Sequence, residues 1–277
     1  MKKFHLIPRT LATLFICVFA FASCSQSREP NPQLMQPQVE RVIVNRSAPP
    51  PSPFWDVSTV DISHVSPTRK LIALTFDDAP VSSFENLVAV FAEYNLQNPD
   101  CQACATVFFN GTYLRSNGAA AISALSVGFE LANHSNHHLD LSKIDEETAR
   151  KEIDTVDEYL SVIDGKEKHL FRPPYGKLGK ESKAAIGVPI INWSIDTLDW
   201  KGRSEKEIFE TVFSQKEDGA IVLMHDGYSQ TVQAVKRLLP ALKEAGYQVV
   251  SVSQMAKAHN CPLKNGSVYT RARDLNK

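Results

Sequence analysis

The sequence of 277 residues lacks features that would each point to a well-defined class of protein. Its formal net charge is −1, so no basic surface for nucleic acid is indicated, and a neutral or small partner is expected. Its N-terminal apolar run, residues 11–22, is shorter than the ~20 apolar residues that a transmembrane helix needs. Cys101 and Cys104 form a CxxC pair, but a second CxxC that would complete a zinc site is missing.

The N-terminal segment has the pattern of an export signal rather than of a folded element. Basic residues occur within the first nine positions, and the apolar run 11–22 ends in "FASCSQS". Small residues directly before Cys24 resemble a bacterial lipobox, which predicts a signal peptide over 1–23 and lipidation of Cys24. The alternative is an ordinary cleaved signal peptide with a cysteine there by chance.

The segment after Cys24 is polar and rich in proline, and it includes "SAPPPSPF". Such a composition favours an extended tether over a packed core, so we expect a tether over 24–65. The remaining residues, 66–277, are expected to form one catalytic domain with a C-terminal tail. Lipid and tether together place that domain in the bacterial cell envelope, at the periplasmic face of the outer membrane or another extracytoplasmic membrane surface.

An exported protein occupies a compartment in which disulfides form. Cys101, Cys104 and Cys261 remain after the signal segment and Cys24 are set aside. We expect a structural disulfide among them, and the sequence leaves its pairing open.

Short apolar runs rich in β-branched and aromatic residues alternate with helical patterns from residue 71 onward. The runs occupy 71–76, 105–110, 128–133, 169–174, 189–195, 220–225 and 247–253. This alternation predicts a parallel sheet covered by helices, closed into a barrel or open and doubly wound. The open form is disfavoured because no glycine-rich phosphate loop follows the first run.

Polar residues that can do chemistry occur where these runs end, and the carboxyl ends of parallel strands meet at one rim. His134 and His138 are four residues apart, which on a helical turn brings both imidazoles to one side. With a carboxylate from the end of the first strand they would form a two-histidine, one-carboxylate metal site with open positions. Such a site suits a hydrolase or a non-haem iron oxygenase. The two aspartates, Asp77 and Asp78, have a simpler alternative when taken alone: they could form an acidic turn that caps the next helix.

Five segments resemble, in the same order, the five motifs of NodB-type polysaccharide deacetylases, carbohydrate esterase family 4. These segments are "TFDDAP", "HSNHH", "RPPY", "DTLDW" and "LMHD". The resemblance covers about residues 70–255. It implies a deformed (β/α) barrel of about seven parallel strands. It also implies metal-dependent removal of N- or O-acetyl groups from a polysaccharide, with a lipid-anchored glycan-binding protein without catalysis as the alternative.

The resemblance also implies a role for each matching residue. Asp77 matches the general base, and Arg172 matches the residue that positions this base. His225 matches the general acid, and Asp199 matches the residue that orients this acid. The remaining matches are the metal ligands Asp78, His134 and His138, the oxyanion-binding backbone at Tyr175, and the acetyl-pocket walls Trp200 and Leu223.

The implied cofactor is a divalent metal, zinc in the first place and otherwise cobalt or nickel. The implied substrate is peptidoglycan or another glycan that contains N-acetylglucosamine, with acetylated xylan as an alternative, and no protein partner is predicted. Ala79 replaces the usual glycine of the family pattern, and Leu139 replaces the usual proline. Both changes lie where they would alter the rim of the substrate groove.

Overall fold

A computed structural model describes residues 52–272, in which strands and helices alternate. The strands are β1 (Lys70–Ala79), β2 (Thr106–Phe109), β3 (Glu130–Asn133), β4 (Ile190–Ile191), β5 (Ile195–Asp196), β6 (Ala220–His225), β7 (Tyr247–Val249) and β8 (Val268–Tyr269). The helices are α1 (Phe84–Gln97), α2 (Gly111–Ser116), α3 (Ala119–Ser126), α4 (Glu146–Asp164), α5 (Lys180–Ala184), α6 (Glu205–Gln215), α7 (Ser229–Glu244) and α8 (Val252–Ala258).

The sheet is built around β1, whose ten residues are almost all buried, as expected of a strand covered on both faces. β6 runs parallel to β1 on one side, while β7 and β2 pair in turn with the start and end of β1 on the other. The strand order is β3-β2-β1-β6-β5. Single bridges through Phe171 connect β3 to β4, and β4 pairs with β8. The predicted α/β fold, a deformed barrel of parallel strands, is therefore confirmed, although the ladders do not close between β4 and β5.

The predicted strand over 169–174 is wrong, since Phe171 alone pairs there. Pro173 and Pro174 follow at once, and proline has no N–H with which to extend a ladder. The N–H of Arg172 completes the bridge by donating to the Asn133 carbonyl, whereas the carbonyl of Arg172 leaves the sheet and accepts a hydrogen bond from the His134 ring.

The helices follow their sequence signals closely. α4 buries the predicted apolar face, including Ile153 and Leu160, and ends at Gly165, whose φ of 76° suits glycine. Ser204 and Glu207 form the predicted capping box at the start of α6. None of the helices in the described residues is long and apolar enough to cross a membrane.

The expected disulfide is absent from the described part of the chain, where Cys101, Cys104 and Cys261 are all without a disulfide bond. Cys104 is buried and its thiol lies 2.7 Å from the carbonyl oxygen of Gly128. Burial raises the pKa of this thiol to about 12. The CxxC segment therefore contributes small buried side chains to the core rather than a covalent link.

The packed part of the chain begins before the predicted boundary at residue 66. The Trp55 indole donates a hydrogen bond to Ser253, and Lys257 donates to the carbonyls of Ser58 and Val60. The predicted signal peptide, the lipidation of Cys24 and the tether up to residue 51 lie outside the described residues.

Candidate active site

Asp77 and Asp78 stand at the C-terminal end of β1 and face different partners. Asp77 is buried and lies in register with His225 on β6. Asp78 has a φ of 66°, and this left-handed conformation turns the chain sharply between the two carboxylates. Asp77 pairs with Arg172, whereas an oxygen of Asp78 lies 3.3 Å from Nε2 of His138.

His134 and His138 do not lie on a helical turn, so that prediction is wrong. They belong to an irregular loop in which Ser135 and His138 have φ values of 64° and 56°. The loop is held by contacts on both sides: the Asn133 side chain accepts the Ser135 N–H, and the Gly111 N–H donates to the Ser135 carbonyl. This path brings the two imidazole rings to 5.0 Å between centroids, so the predicted pair is assembled without a helix.

The residues Asp78, His134 and His138 fit a divalent cation. One ligand atom from each lies within 4.8 Å of the others, and an Asp78 oxygen is 3.7 and 3.3 Å from the two Nε2 atoms. Ligands about 2.0 Å from a tetrahedral ion are separated by about 3.3 Å. Two nitrogens and one carboxylate with open positions match a catalytic site rather than a closed structural one.

Contacts at Nδ1 leave Nε2 of both histidines available to a metal. Nδ1 of His134 lies 2.8 Å from the Arg172 carbonyl oxygen, to which it donates. Nδ1 of His138 lies 3.2 Å from the Tyr175 hydroxyl. Burial and the neighbouring His134 lower the pKa of His138, which favours the neutral form that binds metal.

Arg172 is completely buried and holds Asp77 as a charged base. Its guanidinium donates to Asp77 at 2.6 Å and to the Thr75 hydroxyl at 2.8 Å, and it packs over the Phe108 ring. Burial opposes the charged form of Asp77, but the charge and hydrogen bond of Arg172 together with the charges of His134 and His225 outweigh it and hold the pKa of Asp77 below its ordinary value. A surface ion pair is thereby excluded for Arg172.

Asp199 orients His225 through two contacts. Its carboxylate accepts from the ring Nδ1 at 2.8 Å and from the backbone N–H of His225 at 2.7 Å, while the Thr231 hydroxyl donates to it at 2.8 Å. Burial lowers the pKa of His225, but the hydrogen bond and charge of Asp199, with Asp77 and Asp78 beyond, raise it to about 9. His225 therefore carries a proton at neutral pH in the metal-free protein.

One cavity of about 420 Å³ joins these groups. Its lining includes both aspartates of β1, the two histidines of the candidate metal site and His225, and also the three residues predicted to bind substrate: Tyr175, Trp200 and Leu223. A carboxylate held by an arginine, a histidine held by a carboxylate and a candidate metal site thus face one cavity, an arrangement that could hydrolyse an acyl group.

Comparison with known proteins agrees with this site. The family profile described as "Polysaccharide deacetylase" matches residues 64–187. A peptidoglycan-N-acetylglucosamine deacetylase of Bacillus cereus is 31% identical over 198 residues, covering 68% of this chain and 89% of that protein. The chain belongs to the polysaccharide deacetylase family.

One further relative comes from Bacillus subtilis, and both its sequence and its solved structure match this chain. The peptidoglycan-N-acetylmuramic acid deacetylase PdaC is 33% identical over 192 residues, which is 69% of this chain and 40% of PdaC. The chain thus matches less than half the length of that relative. The solved structure of peptidoglycan deacetylase PdaC has a TM-score of 0.65 at 31% identity, covering 71% of this chain and 94% of the solved one.

The chain departs from the family pattern at two positions, Ala79 and Leu139, and both fit locally. Ala79 is fully buried and is not among the residues with positive φ; the strained position is Asp78 instead. Leu139 is partly exposed, directly after His138. Neither change displaces a residue of the site.

Sequence reasoning missed several residues that shape this cavity. The cavity is also lined by Trp193, Asp196 and Tyr228. The two buried pairs are stabilised by threonine hydroxyls: Thr75 accepts a hydrogen bond from Arg172, and Thr231 donates one to Asp199. Asp196 had a detectable signal, since it precedes "TLDW" at the end of a strand. The two threonines had none, because their importance depends on contacts between distant segments.

Proposed function

We propose that this chain is a divalent-metal-dependent deacetylase that removes acetyl groups from the N-acetylated sugars of a cell-envelope glycan, peptidoglycan in the first place. The observation that carries the proposal is one cavity bordered by the set Asp78, His134 and His138 and by two buried pairs, Asp77–Arg172 and Asp199–His225. The relatives act on peptidoglycan by name, and their chemistry fits this set of residues.

Asp77 serves as the general base. Arg172 keeps it ionised, and its second oxygen lies 3.7 Å from Nε2 of His134, beside the candidate metal site. A bound divalent cation supplies Lewis-acid activation of a water and of the acyl carbonyl. Asp77 accepts the proton of the attacking water, and Asp78 is free for the cation because Arg172 already neutralises its neighbour.

His225 serves as the general acid. It holds a proton on the ring nitrogen that faces away from Asp199, and it delivers this proton to the departing sugar nitrogen. Asp199 fixes the ring orientation and stabilises the imidazolium. A non-haem iron oxygenase has no use for such a buried acid–base pair, so the Asp199–His225 contact favours hydrolysis.

The proposal also includes the identity of the metal, the residues that hold the acetyl group and the location of the enzyme. Zinc suits two imidazole nitrogens and one carboxylate, and cobalt or nickel binds the same ligands. Trp200 and Leu223 enclose the acetyl group, and the backbone at Tyr175 contributes to holding the oxyanion. Lipidation of Cys24 would hold the enzyme at a membrane surface, within reach of the cell wall.

The test is acetate release from peptidoglycan, from N-acetylglucosamine oligomers and from acetylated xylan, with primary amine measured in the same samples. We expect equal amounts of acetate and amine from an N-acetylated glycan. Acetate without amine would make the enzyme an O-deacetylase, and no acetate from any glycan would contradict the proposal.

A matched pair of variants makes the test specific. His225→Gln should abolish acetate release, whereas His259→Gln should leave it intact. His259 is a suitable control because it also pairs with an aspartate, Asp218, and its side chain has the same 15% exposure as that of His225.

A further inference from the structure

Asp226 is a buried carboxyl that the proposed reaction does not use. It follows His225 at the end of β6 and is fully buried. One of its oxygens accepts the Val81 N–H at 2.9 Å, whereas the other has no hydrogen-bond partner among residues 52–272. Burial, with the charge of Asp78 nearby, raises the pKa of Asp226 to about 7. A buried carboxyl that is only half satisfied costs stability, so a role for it is expected.

The contact between Asp226 and Val81 connects β6 to β1 beyond the end of their ladder. The last paired residues of the two strands are Asp77 and His225. The next residue of β1, Asp78, has a φ of 66°, so the regular pairing with β6 ends there. The Asp226 side chain therefore supplies a hydrogen-bond acceptor to β1 where the ladder no longer does.

The turn that follows β1 is held from two sides. On the side of β2, the Asn110 N–H donates to the Ala79 carbonyl at 2.9 Å. On the side of β6, the Val81 N–H donates to Asp226, and a side chain at Gly227 would meet Val81 at 3.0 Å. The first contact lies beside the loop of the two candidate metal-ligand histidines. The second connects the turn to the strand that carries the proposed general acid.

We propose that Asp226 is a positioning residue: through Val81 it fixes the candidate metal ligand Asp78 relative to the general acid His225. The inference rests on the proposed function for the roles of these two residues. The attacking water and the proton donor act on one small acetamide group, so the metal site and the acid need a fixed separation. A displacement of about 1 Å at such a site can cost about 100-fold in rate.

The test compares two substrates that differ in their need for the acid. The leaving group of 4-nitrophenyl acetate departs as a stable anion, whereas the sugar nitrogen of an N-acetylglucosamine tetramer needs a proton from His225. We expect Asp226→Ala to lower the ratio of tetramer to ester kcat about 10- to 100-fold, with each rate expressed per bound metal ion. Asp226→Leu, which is branched like aspartate but has no acceptor, takes its place if the alanine variant does not fold.

Two variants serve as controls for position against charge and against general destabilisation. Asp226→Asn should keep the wild-type ratio, because its amide oxygen can still accept the Val81 N–H. Asp218→Ala should also keep the ratio, because it removes a carboxylate contact at the other end of β1, where the Leu71 N–H donates at 2.7 Å. An unchanged ratio in Asp226→Ala, or an equal fall in either control, would overturn the positioning role.

Crystal structures of the metal-free wild type and of the Asp226 variants separate this role from the proposed function. The distance between the Asp78 carboxylate and the His225 ring should change by on the order of 1 Å in Asp226→Ala and stay as in wild type in Asp226→Asn. If wild type releases no acetate but this displacement is present, deacetylation fails and the positioning role stands. If the distance is the same in all three proteins, the positioning role is overturned whether or not acetate is released.

Discussion

At the scale of single residues, two adjacent carboxylates divide the work of one site. Asp77 is buried against the Arg172 guanidinium, and Asp78 faces two imidazoles across a backbone turn with φ of 66°. Like charges this close would normally raise one pKa, but each carboxylate has its own positive or metal-binding partner. The positive φ at Asp78 is a backbone strain of the kind that concentrates at functional sites.

This division predicts different losses for two nearly isosteric substitutions. Asp77→Asn should retain the metal and lose about 100- to 10,000-fold in turnover, because an amide cannot accept a proton as a base. Asp78→Asn should weaken metal binding itself, because an amide oxygen is a poorer cation ligand than a carboxylate. Metal titration beside acetate-release rates checks both, and the opposite pattern would reverse the two roles.

The Asp199 contact predicts a pH effect at His225. The pKa of His225 is raised from 6.5 to about 9, so the imidazolium is present below that value and is lost as pH rises through it. Asp199→Asn removes the main cause of this rise, so the midpoint should fall toward the ordinary value of about 6.5. A histidine NMR titration of the metal-free protein measures it, with His225→Gln identifying the signal. A midpoint unaffected by Asp199→Asn would contradict this account.

At the scale of elements, the loop 134–138 is the part of the site that depends most on tertiary contacts. Asn133 precedes it on β3, and its amide donates to the Ile153 carbonyl and to Asp157 on α4 while its oxygen accepts the Ser135 N–H. The loop that presents the histidines is therefore connected to α4 through two buried side chains: Asn133, and Glu152 of α4, whose carboxylate accepts the N–H of His137.

Asn133→Ala should consequently affect both stability and metal affinity. It removes one hydrogen bond from the Ile153 carbonyl and one from Asp157, which keeps its contacts with His169 and Lys168, and it takes the Asn133 oxygen away from the buried Ser135 N–H, at a cost of about 2 kcal/mol in the free energy of unfolding. Zinc affinity should fall because the loop loses one of the contacts that hold it, while those from Gly111 and Glu152 remain. Denaturant unfolding and zinc titration test this, with Thr155→Ala on the exposed face of α4 as control. A stable variant with normal zinc affinity would argue against this role.

The elements also show which parts of the fold and of the candidate site could be predicted from the sequence. Strand ends such as "TFDD" and "LMHD" were visible because local apolar runs and motif order placed them on one rim. The histidine loop was misread as helical, since spacing alone cannot reveal positive φ at Ser135 and His138. The family resemblance implied the contact of Arg172 with Asp77, but its contact with Thr75 joins segments almost a hundred residues apart, so no local pattern predicts it.

At the scale of the whole molecule, the sequence predicts a catalytic domain held at a membrane by a single modified residue. Cys24→Ala should move the mature protein from the membrane fraction to the soluble fraction, because lipid chains on Cys24 are the predicted anchor. Cys261→Ala, which leaves the predicted lipidation site intact, is the matched control. Sedimentation of the Cys24→Ala protein with membranes would contradict the lipobox interpretation.

The most direct test of the central claim measures metal content and acetate release in one purified sample. We expect about one divalent ion per chain, loss of both the ion and the activity in a strong chelator, and recovery of both when zinc is added. His134→Ala should not recover, because it lacks a ligand nitrogen. Full acetate release by the metal-free protein would contradict the account.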